Sequence, residues 1–186
     1  MTNKSALEYL EAEIYDRLFR SASEEQANFF RHRFIEANCS GDGDINIVWP
    51  SFAIWILIDP DYGLANFFEK NNTIKIAEIL KGYVKNGVLN KDELNKIAQD
   101  LQKGQKSLSK QFAAQACISI IRATVGFDEH APLDCKASIW AARFSLQAHY
   151  LNKNPNKWGD FSIDEHVKEQ SYQLLKLLKE SRNANN

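Results

Sequence analysis

Four residue pairs in this chain have the spacing of the capping box that starts many α-helices. They are Ser5 with Glu8, Ser23 with Gln26, Asn90 with Glu93, and Ser162 with Glu165. In such a pair the short polar side chain accepts a hydrogen bond from a free backbone N–H of the first turn, and the Glu or Gln can bond back to the N–H of the cap. Each pair precedes a segment with apolar residues at helical spacing. Four such starts predict an all-α fold.

The apolar periodicity divides the chain into eight or nine predicted helices. The segments are about 5–20, 24–38, 50–58, 63–70, 72–86, 91–103, 108–125, 133–151 and 163–181. A length of 186 residues suits one compact domain, so we predict a single domain over 1–186 with a frayed tail at 182–186. The stretch 45–48 could instead form a short strand because it is rich in β-branched residues, and Pro50 suits the first position of the following helix.

Two Ala-rich segments, 108–125 and 133–151, are predicted to form a helical hairpin at the centre of the domain. Each carries apolar residues along two adjacent stripes, so each has to be covered on more than one side. Their many small side chains should also let the two helix axes approach closely. We expect the N-terminal hairpin and the last helix to pack around this pair.

Charge and hydropathy exclude several classes of partner. The chain has 23 basic and 24 acidic residues and a net charge of −1, and its lysines are spread among Glu and Asp like a solvated surface. This balance argues against dedicated nucleic-acid binding. The longest apolar run, 45–58, is interrupted by polar residues and is shorter than the ~20 residues that cross a bilayer. We therefore predict no membrane partner.

The cysteines and the N-terminus predict a soluble cytoplasmic protein. The chain has three cysteines, Cys39, Cys117 and Cys135. An odd number at wide spacing suits neither a disulfide framework nor a zinc site. The N-terminal residues run directly into an amphipathic segment without the apolar core of a signal peptide.

Known catalytic and metal-binding motifs are either incomplete or absent in this sequence. The loop that starts at Asp42 resembles a calcium loop, but Ile47 stands where the turn needs glycine and Ala53 where a bidentate Glu should close the site. Gly82 and Gly87 have the spacing of a phosphate loop, yet Val and Leu follow instead of Lys and Ser or Thr. No HExxH, GxGxxG or GxSxG motif occurs. We therefore predict no catalytic residue, no metal ligand and no cofactor.

The link between the two central helices concentrates acid–base and ligand residue types, and basic or imidazole side chains flank it. The candidate ligand-binding residues are Arg122, Asp128, Glu129, His130, Asp134, Arg143 and His149. The alternative is purely structural: the acids cap the second helix and offset its positive end. Arg122 can then pair with these acids, and Arg143 can pack its stem on Trp140.

The remaining histidines and one tryptophan are assigned individually. His149 is predicted to bond a hydroxyl or carbonyl group or to line a pocket, whereas His32 and His166 are predicted to be exposed and ion-paired. Trp158 fits no apolar stripe. It is either a lid over the core or an anchor for a partner, since buried aromatic anchors dominate interfaces.

Three functional hypotheses remain open. The first is a non-enzymatic helical interaction protein that binds a protein partner or self-associates. The second is a metal-assisted hydrolase that uses the 128–135 link, with His130, Asp134 and His149. The third is a small-ligand sensor with a pocket between the central helices, in which Arg122 and Arg143 contact an anion.

Overall fold

The computed structural model describes residues 24–25, 28–29, 32, 45–68, 71–126, 135–156 and 164–183. In these ranges the regular secondary structure is entirely helical, which confirms the all-α prediction. The elements are α1 (Ile45–Ile58), a 3₁₀ helix (Leu64–Phe67), α2 (Asn72–Asn86), α3 (Lys91–Leu101), α4 (Leu108–Val125), α5 (Cys135–Lys153) and α6 (Asp164–Asn183). The described part thus has six α-helices instead of the predicted eight or nine, and the predicted helix 63–70 is a single 3₁₀ turn. Predicted helix 5–20, and most of 24–38, lie outside these ranges.

Helix α1 is the innermost apolar element of the first half. It starts at Ile45, so the strand alternative at 45–48 is wrong, and Pro50 lies inside the helix instead of at its first position. An internal proline costs about 3 kcal/mol because it removes a backbone hydrogen bond. The helix tolerates this cost because most of its described side chains are buried: Trp49 and Phe52, for example, are at most 1% exposed. Each such burial is worth about 1.5–3 kcal/mol.

The buried face of α2 differs from the predicted stripe. The apolar spacing predicts that Ile74 and Val84 lie on the buried stripe together with Leu80. Thr73, Ile76 and Leu80 are buried, whereas Ile74 and Val84 are each 41% exposed. The helix ends as predicted at Gly87, whose φ of 69° is left-handed and whose N–H bonds the Tyr83 carbonyl at 2.8 Å.

One of the four predicted capping boxes is described, and it starts α3. The backbone N–H of Glu93 donates to Asn90 Oδ1 at 3.2 Å, as predicted. The return bond differs, because Asn90 Nδ2 donates to Glu93 Oε2 at 2.9 Å and takes the place of the expected backbone donor. The other three pairs include residues outside the described ranges.

Helices α4 and α5 pack against each other. Ten of the 18 residues of α4 are buried. Among the described helices this pair has the most extensive contact, and α4 also touches α1, α3 and the 3₁₀ helix. On α5 the facing side chains include Ala141, Ala142 and Ala148, which are at most 2% exposed.

Helix α6 closes the described part by packing against α1. Val167, Leu174 and Leu178 form its buried face. It also bonds to α5, because Gln170 Nε2 donates to Ser145 Oγ at 2.8 Å. It reaches Asn183, two residues into the predicted frayed tail, and residues 184–186 lie outside the described ranges. None of the helices in the described ranges has the length and apolar character needed to span a bilayer.

Candidate functional site

The predicted site residues are not assembled into one site in the described structure. Asp128, Glu129, His130 and Asp134 lie outside the described ranges, as does Trp158. Three of the candidates are described, namely Arg122, Arg143 and His149. Each belongs to a different surface of the fold.

Arg122 lines a cleft of about 570 Å³ between α3 and α4. The sensor hypothesis had placed its pocket between the two central helices instead. The amide side chains of Asn95, Gln99 and Gln102 share the cleft with the exposed Arg122, and Ile118 and Ile121 contribute an apolar part. The cleft therefore offers one guanidinium and several amide groups above an apolar floor.

Arg143 lies over an aromatic ring, as predicted. Its guanidinium carbon is 4.9 Å from the ring centroid of Trp140. Trp140 stacks on Phe144 with ring centroids 5.1 Å apart, and Phe144 contacts Phe112 of α4 at 5.8 Å. Trp140 nevertheless remains 44% exposed. We call Trp140, Arg143 and Phe144 the Trp140 surface.

His149 makes the predicted bond to a carbonyl group. Its Nε2 lies 2.8 Å from the backbone oxygen of Tyr62. Because a carbonyl can only accept, Nε2 carries the proton and donates it. Phe67 packs edge-on against the same ring at 4.9 Å. His149 thus attaches α5 to the turn that follows α1. Because Nε2 is used in this bond, its role is structural and it does not contact a ligand.

The prediction that His166 is exposed was wrong, because it is 3% exposed. Its ring centroid is 4.6 Å from that of His149, at an interplanar angle of 83°, and 4.8 Å from that of Tyr62. Neither ring nitrogen has a hydrogen-bond partner in the described part of the chain. The sequence did contain a signal, since His166 stands one and two helical turns before Gln170 and Leu174, both buried.

Burial keeps both imidazoles of this pair neutral. It is the largest cause that lowers the pKa of His166, to about 2, and repulsion from His149 when that ring is protonated, and from Lys153, adds to the effect. Burial likewise lowers the pKa of His149, with Lys153 in the same direction, while the Tyr62 carbonyl and Asp59 oppose the shift. The pair is therefore an uncharged contact between α5 and α6 at neutral pH.

A second cavity, of about 560 Å³, lies where the 3₁₀ helix meets the end of α3 and the start of α4. Its basic side chains are Lys103, Lys106 and Lys110, and its apolar side chains are Phe67, Phe68 and Leu101. We call it the lysine pocket. The sequence analysis missed it because its residues come from four separate elements, including Asn72 at the start of α2, and its lysines were assigned to a solvated surface.

The other reactive side chains among the described residues are either buried in the core or not clustered. Burial raises the pKa of the Cys117 thiol, which lies in the core as a neutral side chain. No cluster of three or more His, Cys, Asp or Glu residues suitable for a metal ion occurs within the described ranges.

Comparison with known proteins adds no relative from which a function could be transferred. The chain matches no protein-family profile, no curated protein and no solved structure. The candidate sites are therefore the Trp140 surface, the Arg122 cleft and the lysine pocket, each with its own chemistry.

Proposed function

We propose that the chain is a non-enzymatic interaction protein that binds a protein partner, or a second copy of itself, through the Trp140 surface. The observation that supports this proposal is a large aromatic side chain that is nearly half exposed and yet held in place. Trp140 is 44% exposed, with Phe144 stacked on it and Arg143 over its ring.

The composition of this surface suits an interface. Trp and Arg are the residue types most enriched among the side chains that carry the binding energy of protein interfaces. An exposed indole that is already fixed by its neighbours loses little conformational freedom on binding, which lowers the entropic cost of association. The contact of Phe144 with Phe112 packs this surface against α4, and α4 and α5 have the most extensive contact among the described helices.

Trp140→Ala is expected to weaken the association at least about tenfold, because truncation of an interface anchor removes its apolar contact and its fixed geometry. Static light scattering over a concentration series gives the dissociation constant if the chain self-associates. Calorimetry gives it for a partner captured by the immobilised wild-type chain. Tyr172→Ala is the matched control, since Tyr172 is an aromatic residue on α6 that is 55% exposed.

The proposal is wrong if Trp140→Ala and the wild-type chain associate with equal affinity. It is equally wrong if the wild-type chain stays monomeric at the highest concentration and captures no partner. Loss of affinity in Tyr172→Ala as large as that in Trp140→Ala would show that the association does not depend specifically on the Trp140 surface, and the proposal would be wrong.

A second candidate, an anion sensor, is favoured by the position of Arg122. This side chain is exposed, lines the cleft between α3 and α4, and makes no ion pair within the described ranges. A planar guanidinium binds a carboxylate through two parallel hydrogen bonds, and the neighbouring amides of Gln99 and Gln102 can donate further ones. Arg143 is not part of this cleft.

We expect millimolar succinate to raise the melting temperature of the wild-type chain and to leave that of Arg122→Gln unchanged. Arg122→Lys should give a smaller rise than wild type, because an ammonium group lacks the two-pronged geometry. Differential scanning calorimetry with succinate, and with chloride at matched ionic strength, measures the shift. Equal shifts in wild type and Arg122→Gln would exclude carboxylate binding by this arginine.

The metal-assisted hydrolase hypothesis gains no support from the described residues. Two of its residues, His130 and Asp134, lie outside them, and His149 uses Nε2 to bond Tyr62. Elemental analysis of protein purified without a chelator remains its direct test.

A further inference from the structure

We propose that the lysine pocket binds a small molecule that carries a phosphate monoester and a planar ring. This inference goes beyond the proposed interaction function, because the pocket is formed by the 3₁₀ helix, the start of α2, the end of α3, and the loop and first turn that start α4, while the Trp140 surface belongs to α5. The argument uses three features of the pocket, namely its unbalanced charge, its position at a helix start and its apolar wall.

The charge of the pocket is positive in a chain whose net charge is −1. Lys103 is neutralised by Asp100, with Nζ and Oδ1 2.9 Å apart. Lys106 and Lys110 line the same cavity and make no ion pair within the described ranges. Two ammonium groups are thus available to a ligand, which favours a doubly charged anion over a neutral molecule.

The position of these lysines is unfavourable for the isolated helix. The N-terminal end of an α-helix carries partial positive charge, which acidic residues normally offset. Helix α3 follows that rule with Asp92 and Glu93 in its first turn. Helix α4, which is 18 residues long, has no acid in its first turn, and Lys110 stands there instead. A bound anion would relieve this repulsion. The position of the lysines therefore favours anion binding and lowers the stability of the protein when the pocket is empty.

The size and the wall of the pocket select the ligand class. A volume of about 560 Å³ lies within the range of small-molecule sites. The half-buried Phe68, with the nearly buried Phe67 and Leu101 beside it, provides an apolar side against which a planar ring can pack. Lysine ammonium groups act as compact point charges and bind phosphate oxygens, and two of them match the double charge of a phosphate monoester. A nucleoside monophosphate has both required parts.

Calorimetric titration with adenosine monophosphate tests the inference, with adenosine and inorganic phosphate as the two halves of the probe. We expect wild type to bind the monophosphate, and each half to bind at least about tenfold more weakly. Lys106→Gln combined with Lys110→Gln should weaken binding of the monophosphate at least about tenfold. The matched control combines Lys81→Gln with Lys96→Gln, which removes the same charge from exposed positions outside the pocket.

Several outcomes would overturn the inference. Wild type that binds no monophosphate at millimolar concentration lacks the site. Adenosine that binds as well as the monophosphate would show that phosphate is not recognised, and equal losses in the two double variants would show a general charge effect. The pocket variant should also melt at or above the wild-type temperature, because it removes repulsion at the start of α4. A lower melting temperature would contradict the argument from the helix end.

Discussion

Gly63→Ala is expected to reduce the free energy of unfolding by about 3 kcal/mol, because the added methyl group has no room. A Cβ at this position would lie 2.6 Å from Asp59 N and 2.9 Å from the carbonyl carbon of Ile58, and closer still to the Asp59 carbonyl oxygen. All three atoms are backbone, so no side chain can rotate away. Urea unfolding followed by circular dichroism measures the loss.

The close approach at Gly63 follows from how α1 ends. Asp59 Oδ1 accepts hydrogen bonds from the backbone N–H groups of Asp61 and Tyr62 at 3.0 and 2.9 Å, and Gly63 N–H donates to the Asp59 carbonyl at 2.8 Å. This tight turn also presents the Tyr62 carbonyl to His149. A shift of the turn would therefore weaken the attachment of α5 as well as the end of α1.

Gly82→Ala is the matched control for the same chemical change. Nothing lies within 4 Å of a Cβ built at this position inside α2. Alanine there should raise the free energy of unfolding by about 0.5–1 kcal/mol, because it lowers the entropy of the unfolded chain. The free energy of unfolding of Gly63→Ala could instead lie within about 0.5 kcal/mol of the wild-type value, which is the limit of ordinary surface changes. In that case the close approach at Gly63 does not affect stability, and the prediction is wrong.

Signals within one helical turn located helix ends correctly. Asn90 accepts from Glu93 N as its spacing indicated, and Gly87 ends α2 with the positive φ of 69° that suits glycine at a chain reversal. Gly104 also has a positive φ, 53°, but α3 ends earlier than the predicted residue 103, at Leu101. Such geometry depends only on neighbouring residues, so a single sequence reveals it. The bounds of α4 were correct for the same reason, with Ser107 capping its start.

Which face of a helix is buried depends on elements far along the chain, and there the sequence was a poorer guide. Ile74 is apolar but faces outward, because α2 packs on α1 through the face that carries Ile76 and Leu80. His166 is polar but faces inward, because Tyr62 and His149 receive its ring. Residue type alone could not predict either arrangement.

Candidate sites that depend on contacts between distant parts of the chain were even harder to predict from the sequence. The contact of Arg143 with Trp140 lies within one turn of α5 and was predicted. The lysine pocket was missed, because Phe67 and Lys106 are brought together only by the packing of the 3₁₀ helix against α4. Arg122 was predicted to contact an anion in a pocket between the two central helices, whereas the cleft that it lines lies between α3 and α4.

Acidification from pH 8 to pH 5 should destabilise the fold through the buried histidine pair. An unfolded histidine has a pKa of about 6.5, whereas burial lowers the pKa of His166 in the folded chain to about 2. Below pH 6.5 the unfolded chain therefore binds a proton that the folded chain does not. The free energy of unfolding therefore has its full value above pH 6.5 and falls as the pH drops. The loss due to His166 reaches about 2 kcal/mol at pH 5. Because burial also lowers the pKa of His149, that residue contributes in the same direction.

The charges around this pair determine the variants that test it. Lys153 on α5 opposes protonation of both rings, and Asp59 favours it for His149. His166→Phe keeps a ring beside Tyr62 and His149 but cannot titrate, so the difference in unfolding free energy between pH 8 and pH 5 should shrink by about 2 kcal/mol. Val167→Ala, the buried neighbour on α6, should lower stability equally at both pH values. A wild-type pH difference in His166→Phe would mean that the acid sensitivity arises elsewhere, and the enclosed imidazole would then have no energetic role in joining α6 to α5.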